Sequence, residues 1–313
     1  MISDPTYDSI FTRALLIVLG TVNRDHVVFV EKHPLPGETL LGHSYETGTG
    51  GKGSNQAVAA ARAGAPVMFV SAVGDDSAGA EMLADLKAKG VDVSRVTHIA
   101  SKPSGVALIT VSADGENSII VAPGASAVLD ASRVSETVSG LVTPGSVLLT
   151  QLELPLPVVE QACLAAHESG ARVVLNLSPV AEISEALLAA CNPLLVNAGE
   201  AAALAQMPCD TVEQALEAAD ALAKRCHSVV VTLGGDGAIA ADDRPARHFA
   251  GFEVPVVDTT GAGDSFAGAL AAALLDGALL DGATLDDAVG SGIAAGALTV
   301  QHVGAQPPVD SLP

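Results

Sequence analysis

Val257-Asp258-Thr259-Thr260-Gly261-Ala262-Gly263-Asp264-Ser265-Phe266 is the stretch on which the reading of this chain turns. An apolar run, residues 252–257, leads into it, and a small-residue helical pattern, residues 267–275, leads out. Gly261 and Gly263 let the backbone turn tightly with no Cβ penalty. The first turn of a helix carries unpaired N–H groups and the positive end of the macrodipole. Such a terminus suits an anion, a phosphate above all. Asp264 stands where that anion would sit. Two readings are open: Asp264 caps the helix, a role for which Asp is favoured, or it accepts a hydroxyl proton beside a transferring phosphoryl group.

Composition narrows the function classes. Lys and Arg number 15 against 36 Asp and Glu, a formal charge of −21, which excludes the basic footprint of a nucleic-acid binder. An anionic ligand such as ATP would need local donors and a divalent cation. Aromatics are 3% with no Trp, which excludes stacking platforms for bases or polysaccharides. The apolar content of 49% supports a large core, and no run is long enough to span a membrane. Cys163, Cys191, Cys209 and Cys226 are scattered with no CxxC pair, which argues against a zinc site and a disulfide framework. A cytoplasmic protein is expected. Residues 1–13 are polar and read as an N-terminal extension.

Residues 14–20 form a continuous apolar run ending in Gly, the pattern of a buried parallel strand. Ligands of open α/β sheets bind beyond such strand ends. Asn23 and Asp25 follow there; they read as turn formers or as holders of ligand hydroxyls. Strands at 27–31, 39–47, 105–112 and 117–121 interrupt the helix–strand alternation and predict a small separate sheet, a lid over the site. Between them lies Gly48-Thr49-Gly50-Gly51-Lys52-Gly53-Ser54-Asn55, followed by a helix over 56–63. This is not a Walker A loop, because Gly53 follows Lys52. Its GxGxxG spacing, with Asp75 further on, fits dinucleotide binding, although residues 43–47 are too polar for the strand that unit requires. The other reading is that the glycines bring backbone amides, with Lys52 and Asn55, against a polar ligand; a plain solvated lysine is the third.

Glu153 follows the strand over 145–152 and reads as a ligand-binding acid or a loop charge. Asn197 and Glu200 share a face at a strand-to-helix junction. They form either a capping box or a pair of hard oxygen donors suited to Mg²⁺. Thr232-Leu233-Gly234-Gly235-Asp236-Gly237 supplies a flexible turn that could follow nucleotide phosphates or be a plain β-turn. A helix over 293–303 precedes Gly304-Ala305-Gln306-Pro307.

With these pieces in order from Leu15 to about Pro307, the chain resembles the ribokinase-like carbohydrate kinase family. The resemblance rests on residues 20–26, 36–39, 50–57, 151–153, 197–200, 232–234, 258–264 and 304–307. It implies an α/β fold: a three-layer αβα domain over residues 14–310 with a mostly parallel central sheet, plus a small β-sheet lid near 27–47 and 105–121. It implies transfer of the ATP γ-phosphoryl group to the 5-hydroxyl of D-ribose. Asp264 would be the base, and amides of Gly261, Ala262, Gly263 and Asp264 the anion hole. Asn23, Asp25, Gly51, Lys52, Gly53, Asn55 and Glu153 would hold the sugar. Thr232 to Gly237, Gly263 and Asn197 would line the nucleotide, and Asn197 and Glu200 would reach Mg²⁺ through water. A K⁺ ion would take the Asp258 carboxylate and carbonyls of Thr260, Thr299, His302 and Gly304.

The resemblance also implies a homodimer through the lid. Three departures stand out. Pro308 replaces a serine that often joins the cation shell, Ala198 and Gly199 replace a more polar pair, and residues 275–286 look long enough to reshape the adenine side. Competing substrates are 2-deoxyribose, fructose, 2-keto-3-deoxygluconate and adenosine. Competing classes are a dinucleotide-dependent oxidoreductase, which leaves Asp264 unexplained, and a non-catalytic sugar-binding regulator.

Overall fold

The computed structural model describes residues 14–280 and 284–306; the N-terminal extension, residues 281–283 and Pro308 lie outside the described residues. In chain order the strands are β1 (Leu16–Leu19), β2 (Asn23–Phe29), β3 (Ser44–Gly50), β4 (Val67–Gly74), β5 (Asp92–Ile99), β6 (Gly105–Val111) and β7 (Asn117–Ala122). They continue with β8 (Val147–Gln151), β9 (Arg172–Asn176), β10 (Cys191–Asn197), β11 (Val229–Thr232), β12 (Ala238–Ala241) and β13 (Arg247–Phe249). The helices are α1 (Lys52–Arg62), α2 (Ser77–Ala88), α3 (Ala131–Leu141), α4 (Leu156–Glu168), α5 (Glu185–Ala190), α6 (Ala198–Ala205), α7 (Val212–Leu222), α8 (Ala262–Leu280) and α9 (Leu285–Thr299).

The apolar runs form a large sheet in the order β13-β12-β11-β10-β9-β8-β1-β4-β5. It is parallel from β11 to β5, with β12 and β13 added antiparallel at one edge. Side chains alternate between faces along a strand. Leu16 and Val18 of β1 therefore join one core, and Ile17 and Leu19 the other. The first core is closed by α1, α2, α8 and α9, and the second by α3 to α7. Burial on both faces is why these strands read as unbroken apolar runs. The strand order reverses around β1, which lies between β8 and β4, and a ligand crevice forms at such a switch point.

The second sheet is small, in the order β3-β2-β6-β7. β2 is antiparallel to β3 and parallel to β6, and β6–β7 is the hairpin expected from its turn sequence.

Several expectations are corrected here. Asn23 to His26 is strand rather than turn, because β2 pairs on both sides, with Asn23 opposite Gly50 and Gly105. Gly48 and Gly50 lie within β3, an edge strand of the small sheet, so no strand–loop–helix unit exists there for a dinucleotide. α1 starts at Lys52 rather than residue 56, turned by Gly51 at φ 93°. β5, β12 and β13 have no counterpart in the sequence reading, and α9 begins at Leu285 rather than 293. The apolar run of residues 252–257, to which the sequence assigned no element, is not a strand, and Phe252, Val256 and Val257 are exposed.

Candidate active site

The C-terminal ends of adjacent parallel strands deliver polar residues to one place: Gln151 from β8, Asn176 from β9, Asn197 from β10 and Thr232 from β11. The small sheet adds Asn23 and Asp25 of β2, and the starts of α1 and α8 add Lys52 and Asp264. α8 can approach α1 because of Gly268, one turn beyond Asp264: a Cβ there would lie 2.5 Å from the Gln56 carbonyl oxygen and 2.6 Å from the Ala59 Cβ.

That approach decides the geometry of Asp264, which is buried. Asn55 Nδ2 donates to its Oδ2 at 3.0 Å, and Gln56 Nε2 donates to its Oδ1 at 3.0 Å. The carboxylate is thus turned onto α1 rather than onto the amides of its own helix. Gln56 is held in turn: its Oε1 accepts from Gln151 Nε2 at 2.6 Å, and its Nε2 also meets Asn176 Oδ1 at 3.1 Å. Burial pushes the Asp264 carboxyl above its ordinary range, while Lys52 and the two amides pull it down and Glu153 adds to the rise. A buried carboxyl raised by its surroundings and held by two amides is the kind of group in which acid–base chemistry is found.

Gly261, at φ 75°, starts the turn before α8; a Cβ there would come within 2.5 Å of Ala305 Cα, so both the conformation and the space demand glycine. Nothing stands within 4 Å of a Cβ built at Gly263, which leaves its face of the first helical turn open. The Ala262 N–H is spent on the Thr259 carbonyl at 3.3 Å.

Asn23, Asp25, Gly51, Lys52 and Glu153 come together where β2 and β3 meet the start of α1, of which Lys52 shares the cavity with Gly261 and Gly263. Glu153 Oε2 accepts from the Thr21 hydroxyl and from the Lys52 N–H at 3.0 Å, and so caps α1, whose N-cap Gly51 has no side chain to do it. Asp25 fills the space over Gly50, where a Cβ would lie 1.9 Å from Asp25 Oδ2. Burial, then the charge of Glu153, raises its carboxyl to about 7 against the pull of Arg24. Asn23 occupies the space over Gly105 in the same way, and its buried Oδ1 has no hydrogen-bond partner. A buried acceptor left unpaired costs about 1–3 kcal/mol, so this cradle is built for a ligand that donates. Gly53 does a different job: it packs on Gly20, where a Cβ would come within 2.6 Å of the backbone.

A cavity of about 160 Å³ lies between Lys52, Asp264, Gly261, Gly263, Thr232, Asn197 and Glu200. Asn197 and Glu200 form the capping box of α6, each bonding the other's backbone N–H at 2.8 Å. Capping does not take them out of the site, since both line the cavity. Burial raises the Glu200 carboxyl, against hydrogen bonds from the Asn197 backbone and Ser178. Asn176 and Ser178 line the same cavity and were missed by the sequence reading.

The cavity continues, through Thr232 and Gly263, into an apolar cleft of about 500 Å³. Gly234, Gly235 and Gly237 line it together with Gly251 to Val254, Val256 and Phe266, and with Ile293, Gly296 and Ala297 of α9 and Val300 just past its end. Leu233 and Asp236 face a separate pocket of about 310 Å³ bordered by Asn197 and Thr211. The segment expected to reshape the adenine side, residues 275–286, falls partly outside the described residues, which omit residues 281–283.

Behind the anion turn, Asp258 Oδ1 accepts the Thr260 N–H at 2.9 Å and its Oδ2 the Gly304 N–H at 2.8 Å. Burial raises this carboxyl, but the bonds from Gly304 and Thr260 outweigh it and hold it below its ordinary value. The Thr299 carbonyl accepts the His302 N–H at 3.1 Å, so residues 299–304 fold back beside residues 258–261.

Residues 13–312 match the pfkB family carbohydrate kinase model. The ribokinase of Haemophilus influenzae is 38% identical over 295 residues, covering 94% of each chain. The deoxyribokinase of Salmonella typhi is 33% identical over 258 residues, 82% of this chain and 84% of that one. The structure of Arabidopsis thaliana ribokinase complexed with ribose and ATP superposes with a TM-score of 0.84 at 30% identity, over 96% of both chains. A buried carboxylate at a glycine-turned helix start, between a polar cradle and an apolar cleft, on a chain with these relatives, places the protein in the pfkB family of carbohydrate kinases.

Proposed function

We propose that the chain transfers the γ-phosphoryl group of ATP to the 5-hydroxyl of D-ribose, giving D-ribose 5-phosphate and ADP. The observation that carries this reading is the place of Asp264: its carboxylate lies in the wall of the small cavity that opens into the apolar cleft. The cleft takes the adenosine end of ATP, and Thr232, Gly234, Gly235 and Gly237 line the path of its phosphates. Leu233 and Asp236 border the route from the outer side. Asn23, Asp25, Gly51, Lys52, Asn55 and Glu153 orient the sugar by its hydroxyls, and Asp264 accepts the proton of the attacking one. The amides of Gly261, Gly263 and Asp264 meet the charge on the transferred group, the Ala262 N–H being taken by the Thr259 carbonyl.

Asn197 and Glu200 are hard oxygen donors on the cavity wall. This fits Mg²⁺ held through water and the nucleotide phosphates, where it would neutralise phosphate charge. Asp258, ionised and pointing between two loops, fits K⁺ with carbonyls of Thr260, Thr299, His302 and Gly304. The small sheet would close as a lid and exclude water. Its exposed Leu108, Ile119, Ile120 and Val121 support pairing of two lids in a homodimer. Among the described residues no helix is long and apolar enough to cross a membrane; a cytoplasmic location belongs to this proposal.

The experiment is coupled ADP release with Mg-ATP over D-ribose, 2-deoxyribose, fructose, 2-keto-3-deoxygluconate and adenosine, with and without K⁺. A ribose signal at least about tenfold above the rest, raised by K⁺, is expected; this corresponds to about 1.4 kcal/mol of discrimination. Preference for 2-deoxyribose would move the substrate to the alternative reading, and no turnover would sink both.

A pH dependence follows from Asp25. Its raised carboxyl means that a proton returns as the pH falls through about 7, and the charged acceptor is then lost. D-ribose affinity measured by calorimetry is expected to be flat above pH 8 and to weaken by up to about tenfold per pH unit below 7. The Asp25→Asn variant should lose the dependence. Wild-type affinity that stays flat to pH 5.5 would remove Asp25 from sugar binding.

A further inference from the structure

A side-chain amide that donates at one end accepts at the other, and the two orientations differ only by a half-turn. Something must therefore fix Asn55 with its NH₂ on Asp264. Its Oδ1 accepts from Gln306 Nε2 at 2.8 Å. The same Gln306 Nε2 reaches the Thr49 carbonyl in β3 at 3.1 Å, and Gln306 Oε1 accepts from Lys89 Nζ at 2.8 Å. Lys89 is also paired with Asp85 Oδ2 at 2.7 Å. An ammonium group only donates. Lys89 therefore draws the oxygen of Gln306 to itself and leaves the NH₂ for Asn55. Asn55 must then show its oxygen to Gln306 and its NH₂ to Asp264.

We propose that Gln306 is a positioning residue for Asp264, the middle of a polarity relay running from Lys89 through Gln306 and Asn55 to the carboxylate. This inference rests on the reading of Asp264 as the base. The relay holds a donor on Oδ2, which favours the ionised carboxylate that can take the hydroxyl proton. It also ties the edge strand of the small sheet, through Thr49, to the same amide. The Oδ1 side has its own fixed amide, Gln56, so the loss of Gln306 removes one of two supports.

The test is the pH profile of kcat in Gln306→Leu, Gln306→Glu and Lys89→Met. The other charged groups around Asp264 are Lys52 and Glu153, with Glu200 on the same cavity wall, and none of them is altered. With Gln306→Leu the acid limb is expected to move up by about one pH unit, while plateau kcat and KM for ATP stay within about threefold. Gln306→Glu can still accept from Lys89 but cannot donate, so Asn55 turns its oxygen to Asp264 and the limb moves further. Lys89→Met gives a smaller shift in the same direction. In an Asn55→Ala background the Gln306→Leu change adds no further shift, because its effect passes through Asn55.

A ¹³C titration of the Asp264 carboxyl in the unliganded protein reads the same displacement without turnover. If the wild type phosphorylates no sugar, the kinase reading fails and this titration still decides the relay. Variants that unfold at lower temperature yet keep the wild-type carboxyl titration would overturn it, since a purely structural role predicts that pattern.

Discussion

Replacing Asp264 with Asn is expected to lower kcat by about 10²–10⁴ while D-ribose binding stays within about tenfold of wild type. The side chains are nearly the same shape, so the cavity survives. The amide cannot accept the hydroxyl proton. Its NH₂ must also face one of two donors, Asn55 Nδ2 or Gln56 Nε2, each 3.0 Å from a carboxylate oxygen in the wild type. One of those amides has to turn or lose its bond, at a cost of about 1 kcal/mol of stability. The sugar cradle of Asn23, Asp25 and Glu153 lies on other elements and remains. Turnover by ADP release, with ribose affinity by calorimetry, separates the two effects. A kcat within about threefold of wild type would remove Asp264 as the base.

Gly50→Ala is expected to raise KM for D-ribose by about 10- to 100-fold with only a small loss of thermal stability. Gly50 makes no side-chain contact with any ligand, so the effect must be indirect. A methyl group there would sit 1.9 Å from Asp25 Oδ2 and 2.5 Å from Asp25 Cγ. What has to move is the end of one side chain, which is cheap for the fold. The displaced carboxylate forfeits a charged hydrogen bond to the sugar, about 1.5–3 kcal/mol. Gly53→Ala supplies the contrast. Its methyl would meet the Gly20 backbone at 2.6 Å, where neither α1 nor the end of β1 can give way, and thermal stability should fall sharply. Steady-state kinetics with calorimetric unfolding of the two variants checks this. Equal KM values for Gly50→Ala and wild type would show that Asp25 is not held by this cradle.

The inner parallel strands were legible because burial on both faces leaves an unbroken apolar run, as in residues 14–20 and 145–152. The β6–β7 hairpin was legible from its turn residues. Asn23 to His26 was not, because polar residues after a strand look like a turn and the pairing that makes them strand comes from Gly50 and Gly105, far along the chain. β5 and β13 are edge strands with little apolar signal, and β12 is an Ala-rich segment that favours no element by pattern.

In the site, glycine clusters and exposed-looking charges were given roles, whereas Gln56 and Gln151, present in the matching stretches, and Asn176 were given none. Their signal was present as amides inside otherwise apolar elements, which only a hydrogen-bonded network explains. The apolar cleft was hidden for another reason: it is assembled from residues 251–256 and from α9, segments that meet only in the fold. Asn197 and Glu200 show how two sequence readings can share one pair. The capping box exists, and the same two side chains line the cavity.

The most direct measurement is the structure of the product. The protein, Mg-ATP, K⁺ and D-ribose would be incubated and the sugar phosphate read by proton-coupled ³¹P NMR. The expected result is a single sugar phosphorus coupled to the two protons on C5. A phosphorus coupled to the C1 proton, or inorganic phosphate with no sugar phosphate, would contradict the assignment of the cradle and of Asp264.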